Sequence, residues 1–223
     1  MTAISAATLM KKKFKLMGWQ GEWKEAFGQP ETTGVWFVWG GSGNGKTTFT
    51  LQLVKALLGG NRALVNSLEE GNKNSMKNAL MAVNFTGREL NKLLICREPM
   101  PEFAQRLAQP RAPKVAVIDS VQMTGWSFDE YLSFKNAHAD KLLVFVSQSE
   151  RGKPIGKLAE RIKFDADQKI MVEGYRAISN GRSNPGGIYT IWQQGAANYW
   201  GCSQSPAEGD LKQSLKKTNT NEN

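Results

Sequence analysis

Ten residues, WGGSGNGKTT at positions 39 to 48, constrain this chain more than any other stretch. Gly40, Gly45, Lys46 and Thr47 satisfy the pattern G-x-x-x-x-G-K-[ST], and the flanks agree with it. VWFVW (35 to 39) is a short apolar run of β-branched and aromatic residues, which predicts a strand. TTFTLQLVKALL (47 to 58) has helical spacing and stops at Gly59-Gly60. A strand that breaks into a glycine loop and turns straight into a helix leaves the first backbone N–H groups of that helix unpaired. Gly40, Gly41, Ser42, Gly43, Asn44, Gly45, Lys46, Thr47 and Thr48 can then surround phosphate oxygens, the dipole of the helix favouring their charge. Lys46 would reach the β and γ oxygens and the Thr47 hydroxyl would ligate Mg²⁺, so ATP with Mg²⁺ is the expected cofactor pair.

The strand-helix alternation continues beyond this loop. RALVNSL (62 to 68), LLIC (93 to 96), KVAVIDS (114 to 120) and KLLVFVSQS (141 to 149) read as strands, and 72 to 84, 100 to 109 and FDEYLSFKNAHA as helices. Further along, QKIMVE, YRAIS and IYTIWQ are short strand-like runs separated by Gly- and Asn-rich turns. The expected fold is α/β: a mostly parallel central sheet flanked by helices, with antiparallel edge strands on the C-terminal side. Residues 34 to 202 would form this domain, after a basic and aromatic segment 1 to 33; residues 203 to 223 are polar and read as a disordered tail.

Carboxylates and amides at the ends of these strands are the candidates for chemistry. Asp119 closes the apolar run VAVID, where a carboxylate is costly unless it faces a polar cleft, and it is the expected magnesium-shell residue; Ser120 is a weaker one. In SLEEG, Glu69 and Glu70 stand where the second strand leaves the sheet, one strand from the cradle. Either could orient an attacking water, or both could be acids that favour a helix start. Gln148, in FVSQS, is placed to feel a γ-phosphate. The stretch that follows, 149 to 164, contains Arg151, Lys153, Lys157, Arg161 and Lys163 with glycines and a proline, and reads as a mobile basic loop for nucleic acid or as a solvated surface. Arg182, in the turn SNGRSNPGG, could tether that turn or reach a neighbouring subunit's nucleotide.

A net charge of +9 favours a polyanionic partner without requiring one. Two cysteines, Cys96 and Cys202, and the single His138 fit neither a disulfide framework nor a zinc site. No apolar run approaches a membrane span, and the start MTAISAATLMKKK puts its small apolar run before its lysines, the reverse of a secretory signal. The expected place is therefore the cytoplasm, with no membrane and no zinc. Most of the seven tryptophans are expected in the core.

Together these pieces resemble the RecA superfamily of ATPases, in particular the core shared by RecA and RadA recombinases and DnaB-type helicases, over residues 34 to 193. GGSGNGKTT resembles its phosphate loop, NSLEEG the strand end with its catalytic glutamate, VAVIDSVQ its magnesium strand, VFVSQS its sensor strand and SNGRSNPGG its late arginine segment. The resemblance implies ATP hydrolysis in a homo-oligomer, a hexameric ring or a helical filament, acting on DNA, single-stranded rather than duplex. It implies Glu69 as the base, Gln148 as the γ-phosphate sensor and Arg182 as a finger acting in trans. DnaB-like helicases commonly carry a lysine two residues before that arginine, where this chain has Asn180. The loops after the magnesium and sensor strands face DNA in such proteins, which implicates Arg151, Lys153 and Lys157, and Trp126 as a base-stacking or a packed residue. No helicase-type N-terminal domain or RadA-type zinc ribbon is matched. The form is that of a short core such as phages and mobile elements carry, with residues 1 to 33 expected to pack on a neighbouring protomer. The alternative is an ATP-gated regulatory or assembly protein, similar to circadian-clock members of the superfamily, with protein partners; a small-molecule kinase is the weakest reading.

Overall fold

The computed structural model describes residues 3–71, 73–181 and 184–201. Strands β1 (Gly34–Gly40), β2 (Ala63–Ser67), β3 (Leu93–Cys96), β4 (Val115–Asp119), β5 (Leu142–Glu150), β7 (Gln168–Glu173), β8 (Arg176–Gly181) and β9 (Asn184–Thr190) lie in the order β3-β2-β4-β5-β1-β7-β8-β9. A two-residue strand, β6 (Lys153–Pro154), pairs antiparallel with the end of β5. Pairing is parallel from β3 to β7 and antiparallel from β7 to β9, so the α/β sheet with an antiparallel edge is observed.

Burial on both faces explains the unbroken apolar runs of the central strands. On one face Trp36 and Val38 of β1 and Val144 of β5 meet Phe49, Leu53 and Leu57 of α3 (Lys46–Leu57). On the other, Phe37 and Phe145 meet Phe103 of α6 (Met100–Ala108), Tyr131 of α7 (Phe128–Ala137) and Ile162 of α8 (Lys157–Asp165). The remaining helices are α1 (Ala6–Lys11), α2 (Gly21–Phe27), α4 (Asn74–Val83), α5 (Gly87–Leu90) and α9 (Gln193–Trp200).

The N-terminal segment divides in two. Residues 17 to 27 belong to the chain's own core: Phe27 is fully buried, Trp19 meets Trp36 edge-on at 5.7 Å, and Trp23 stacks on Tyr189 of β9 at 4.5 Å. The end of α2 is accepted by the sheet, since Ser179 Oγ donates to the Ala26 carbonyl at 2.6 Å and Gln168 Nε2 to that of Phe27 at 3.0 Å. Gly187 makes the approach possible, because a Cβ there would stand 2.3 Å from the Ala26 oxygen. Residues 3 to 16 are exposed throughout, and α1 buries nothing; Leu9, Met10, Phe14 and Leu16 face solvent. Among the described residues no helix is long and apolar enough to cross a membrane.

Residues 149 to 164 differ from the expected loop. β5 runs on to Glu150, a turn at Arg151 and Gly152 leads into β6, and α8 starts at Lys157. Ala159 and Ile162, three positions apart, are buried and hold that helix on the sheet, which outweighs the punctuation of Gly152, Pro154 and Gly156. Arg161 lies 3.6 Å above the Phe128 ring and Lys163 4.3 Å above Trp39, so two of the five cations cover aromatic faces.

Candidate nucleotide site

Parallel pairing brings the carboxyl ends of the central strands to one edge, where chain ends can diverge and open a crevice. Register places Gly40 beside Gln148, and Asp119 beside both Ser67 and Val146. The crevice is a cavity of about 430 Å³ lined by Ser42, Gly43, Gly45, Lys46, Thr47 and Thr48 on one side. Glu69, Glu70, Asp119, Ser120, Gln148 and Tyr175 complete it.

The loop is shaped for an anion before one arrives. Gly43 (φ 76°) and Gly45 (φ 94°) take left-handed backbone, which turns successive N–H groups inward at the start of α3. Gly40 is required for another reason: a Cβ there would stand 2.2 Å from the Val172 carbonyl oxygen of β7. Asn44 ties the loop to the β7–β8 hairpin, its Oδ1 accepting from Gly174 N at 2.8 Å and its carbonyl from Tyr175 N at 3.3 Å. The Tyr175 ring borders Gly45, where a Cβ would meet its Cδ1 at 3.2 Å.

Lys46 Nζ donates to the Gly41 carbonyl at 2.8 Å, curled over the loop. Burial pulls its ammonium below the ordinary lysine value, against the carboxylates of Asp119 and Glu69, which favour the charge. Burial pushes Asp119 up to about 6, with the charge of Glu69 adding to the rise and Lys46 opposing it. A carboxylate held in this way is short of positive charge, and Thr47 lines the same cavity. The pair fits Mg²⁺, which keeps several waters and takes only one or two protein ligands beside phosphate oxygens. Among the described residues no cluster of three His, Cys, Asp or Glu side chains is placed to cage a metal.

Glu69 is further away in the sheet than the sequence led us to expect. β5 and β4 both stand between β1 and β2, so the glutamate is three strands from the cradle rather than one. Its side chain reaches back: Ser120 Oγ donates to Oε1, and Gln148 Nε2 donates to Oε1 at 3.0 Å and to Oε2 at 3.3 Å. The candidate sensor amide and the candidate base are thus in direct contact. Ser120 is buried, and in this structure its hydroxyl serves the glutamate.

Arg151, Lys153 and Lys157 are exposed on the β5–β6 hairpin and at the start of α8, directly after Gln148. Trp126 packs against Phe134 of α7, ring centroids 4.9 Å apart. Arg182, Cys202 and the tail from 203 lie outside the described residues. Burial pushes the Cys96 thiol up to about 11, which leaves it protonated and unreactive near neutrality.

A phosphate loop after β1 and this strand order, with its antiparallel edge, define the RecA-like P-loop fold. Comparison with solved structures agrees. The chain is similar to the flagellar accessory protein FlaH from Methanocaldococcus jannaschii, at TM-score 0.59 and 13% identity over 81% of this chain and 96% of that one. It is also similar to a KaiC-like protein from the hyperthermophilic archaeon Pyrococcus horikoshii OT3, at TM-score 0.58 and 17% identity over 79% and 99%. No protein-family model and no curated protein matches the sequence.

Proposed function

We propose that the chain is a Mg²⁺-dependent ATPase that works as an oligomer on DNA, each active site completed by the neighbouring copy. The observation that carries hydrolysis is the meeting of Lys46, Thr47, Asp119, Glu69 and Gln148 in one cavity at the carboxyl edge of the sheet. The loop N–H groups and Lys46 hold the β and γ phosphates, and Thr47 and Asp119 are the residues that would hold Mg²⁺. The bound ion would supply positive charge to the phosphate oxygens. Glu69 accepts a proton from the attacking water as its oxygen bonds to the γ-phosphorus and the bond to the β-phosphate oxygen breaks, releasing ADP. Ser120 and Gln148 keep the carboxylate oriented, and a γ-phosphate that draws the Gln148 amide away would change the base and the hairpin together.

Arg182 would serve the adjacent copy's nucleotide as a finger in trans. The exposed arm 3 to 16, with Leu9, Met10, Phe14 and Leu16 facing solvent, would supply part of the contact between copies. Arg151, Lys153 and Lys157 would contact the phosphates of single-stranded DNA. A second reading, an ATP-gated assembly protein with protein partners, is favoured by the structural likeness to a flagellar accessory protein.

ATP hydrolysis measured with single-stranded DNA, duplex DNA and RNA over a salt series separates the two. Single-stranded DNA should raise turnover several-fold, and the effect should fade steeply between about 50 and 200 mM salt. Turnover indifferent to every nucleic acid would reject the DNA role and leave the assembly reading.

A further inference from the structure

We infer that Gln122, three residues beyond Asp119, is a positioning residue that fixes the Gln148–Glu69 contact and ties it to the basic hairpin. Gln122 lies on a short 3-10 turn, Val121–Met123, immediately beyond Asp119 and Ser120. Its Nε2 donates to Ser147 Oγ and to the Ile155 carbonyl, both at 2.8 Å, and its Oε1 accepts from Gln148 N at 3.3 Å. The amide orientation is dictated by its partners. The Ile155 oxygen can only accept, Gln148 N can only donate, and Ser147 Oγ already donates to the Gln148 carbonyl at 2.9 Å and so receives.

Ile155 N returns a bond to the Gln148 carbonyl at 3.0 Å. The backbone of Gln148 is therefore held at both its N–H and its carbonyl, by the turn after β4 and by the segment between β6 and α8. Its side chain leaves from this fixed point to reach Glu69. One side-chain amide thus links the end of the magnesium strand, the sensor residue and the exit of the hairpin that displays Arg151 and Lys153. Loss of this link should not unfold the chain. Ile155 is 41% exposed and Gln148 is exposed, so water can replace the missing partner at either end.

The catalytic part rests on the reading that Glu69 activates water; the structural part does not. Two variants of the full chain separate them. Gln122→Ala should lower kcat about 10-fold with KM and binding of a fluorescent ATP analogue within about twofold, because only the alignment of the base is lost. Gln122→Glu keeps an acceptor for Gln148 N but cannot donate to Ile155, so its kcat should stay within about threefold of wild type. Both should speed amide hydrogen exchange across residues 149 to 156. An unaltered kcat in Gln122→Ala overturns the positioning role, as does a loss matched by an equal rise in KM or a melting point lowered by more than about 5 °C. A wild-type chain that binds the analogue and never hydrolyses ATP would instead reject the proposed function. The exchange measurement would still decide the link, and unchanged exchange at 149 to 156 in both variants would overturn it.

Discussion

Replacing Glu69 with glutamine should cut ATP turnover by about 10²- to 10⁴-fold while nucleotide affinity stays within about threefold. The substitution is nearly isosteric. Its amide oxygen can still accept from Ser120 Oγ and Gln148 Nε2, so the arrangement around the side chain survives and only its charge and basicity are removed. Initial rates under saturating ATP, paired with binding of a fluorescent analogue, give both quantities. Retention of more than about a tenth of the rate would remove Glu69 from the role of base. Glu70, which lines the same cavity, would then be the carboxylate to replace.

The second large effect concerns stability and has the opposite sign from the effect on activity. Asp119 is pushed up to about 6 from an ordinary 3.8, by burial first and by Glu69 second. A carboxyl group whose folded value is raised takes up protons more readily in the folded chain than in the unfolded one. Its favourable contribution is present below about pH 4 and disappears as pH rises through about 6, leaving a constant deficit above that. A rise from 3.8 to about 6 corresponds to on the order of 2–3 kcal/mol. Asp119→Asn should therefore make the nucleotide-free chain more stable by about that amount at pH 8 in the presence of a chelator, with the gap closing toward pH 4. ATP hydrolysis should be lost in the same variant. Denaturant melts at the two pH values test this, and an Asn variant no more stable than wild type at pH 8 would show that the carboxylate is better solvated than its burial implies.

These two residues also show what a sequence can reveal about such a site. Gly40, Lys46, Thr47, Asp119 and Gln148 were legible because each sits at a fixed offset from an apolar run, and parallel pairing sends every such run to the same edge. The distance of Glu69 was not legible. The lateral order of strands is set by how helices cover the two faces, and nothing within NSLEEG records that β5 and β4 come between. The helix over 157 to 165 was hidden for a different reason: Gly152, Pro154 and Gly156 precede it, and its buried positions, Ala159 and Ile162, are few among charges. Ser120 was legible only as a neighbour of Asp119; its bond to Glu69 and the bonds of Gln122 were not, because their partners, Glu69, Ser147 and Ile155, are 25 to 51 residues away along the chain.

The tie from Asn44 to the β7–β8 hairpin has a thermodynamic meaning. A free glycine loop would have to surrender its conformational freedom at the moment it meets a phosphate. Here the freedom of the cradle is surrendered during folding, when Gly174 N and Tyr175 N close on Asn44. Binding would then begin from a loop already in shape, and its affinity would depend on a hairpin far along the chain from the glycines. A lesion at Gly174, 130 residues beyond Asn44, would present as a failure to retain nucleotide and would be mistaken for a fault in the phosphate loop itself.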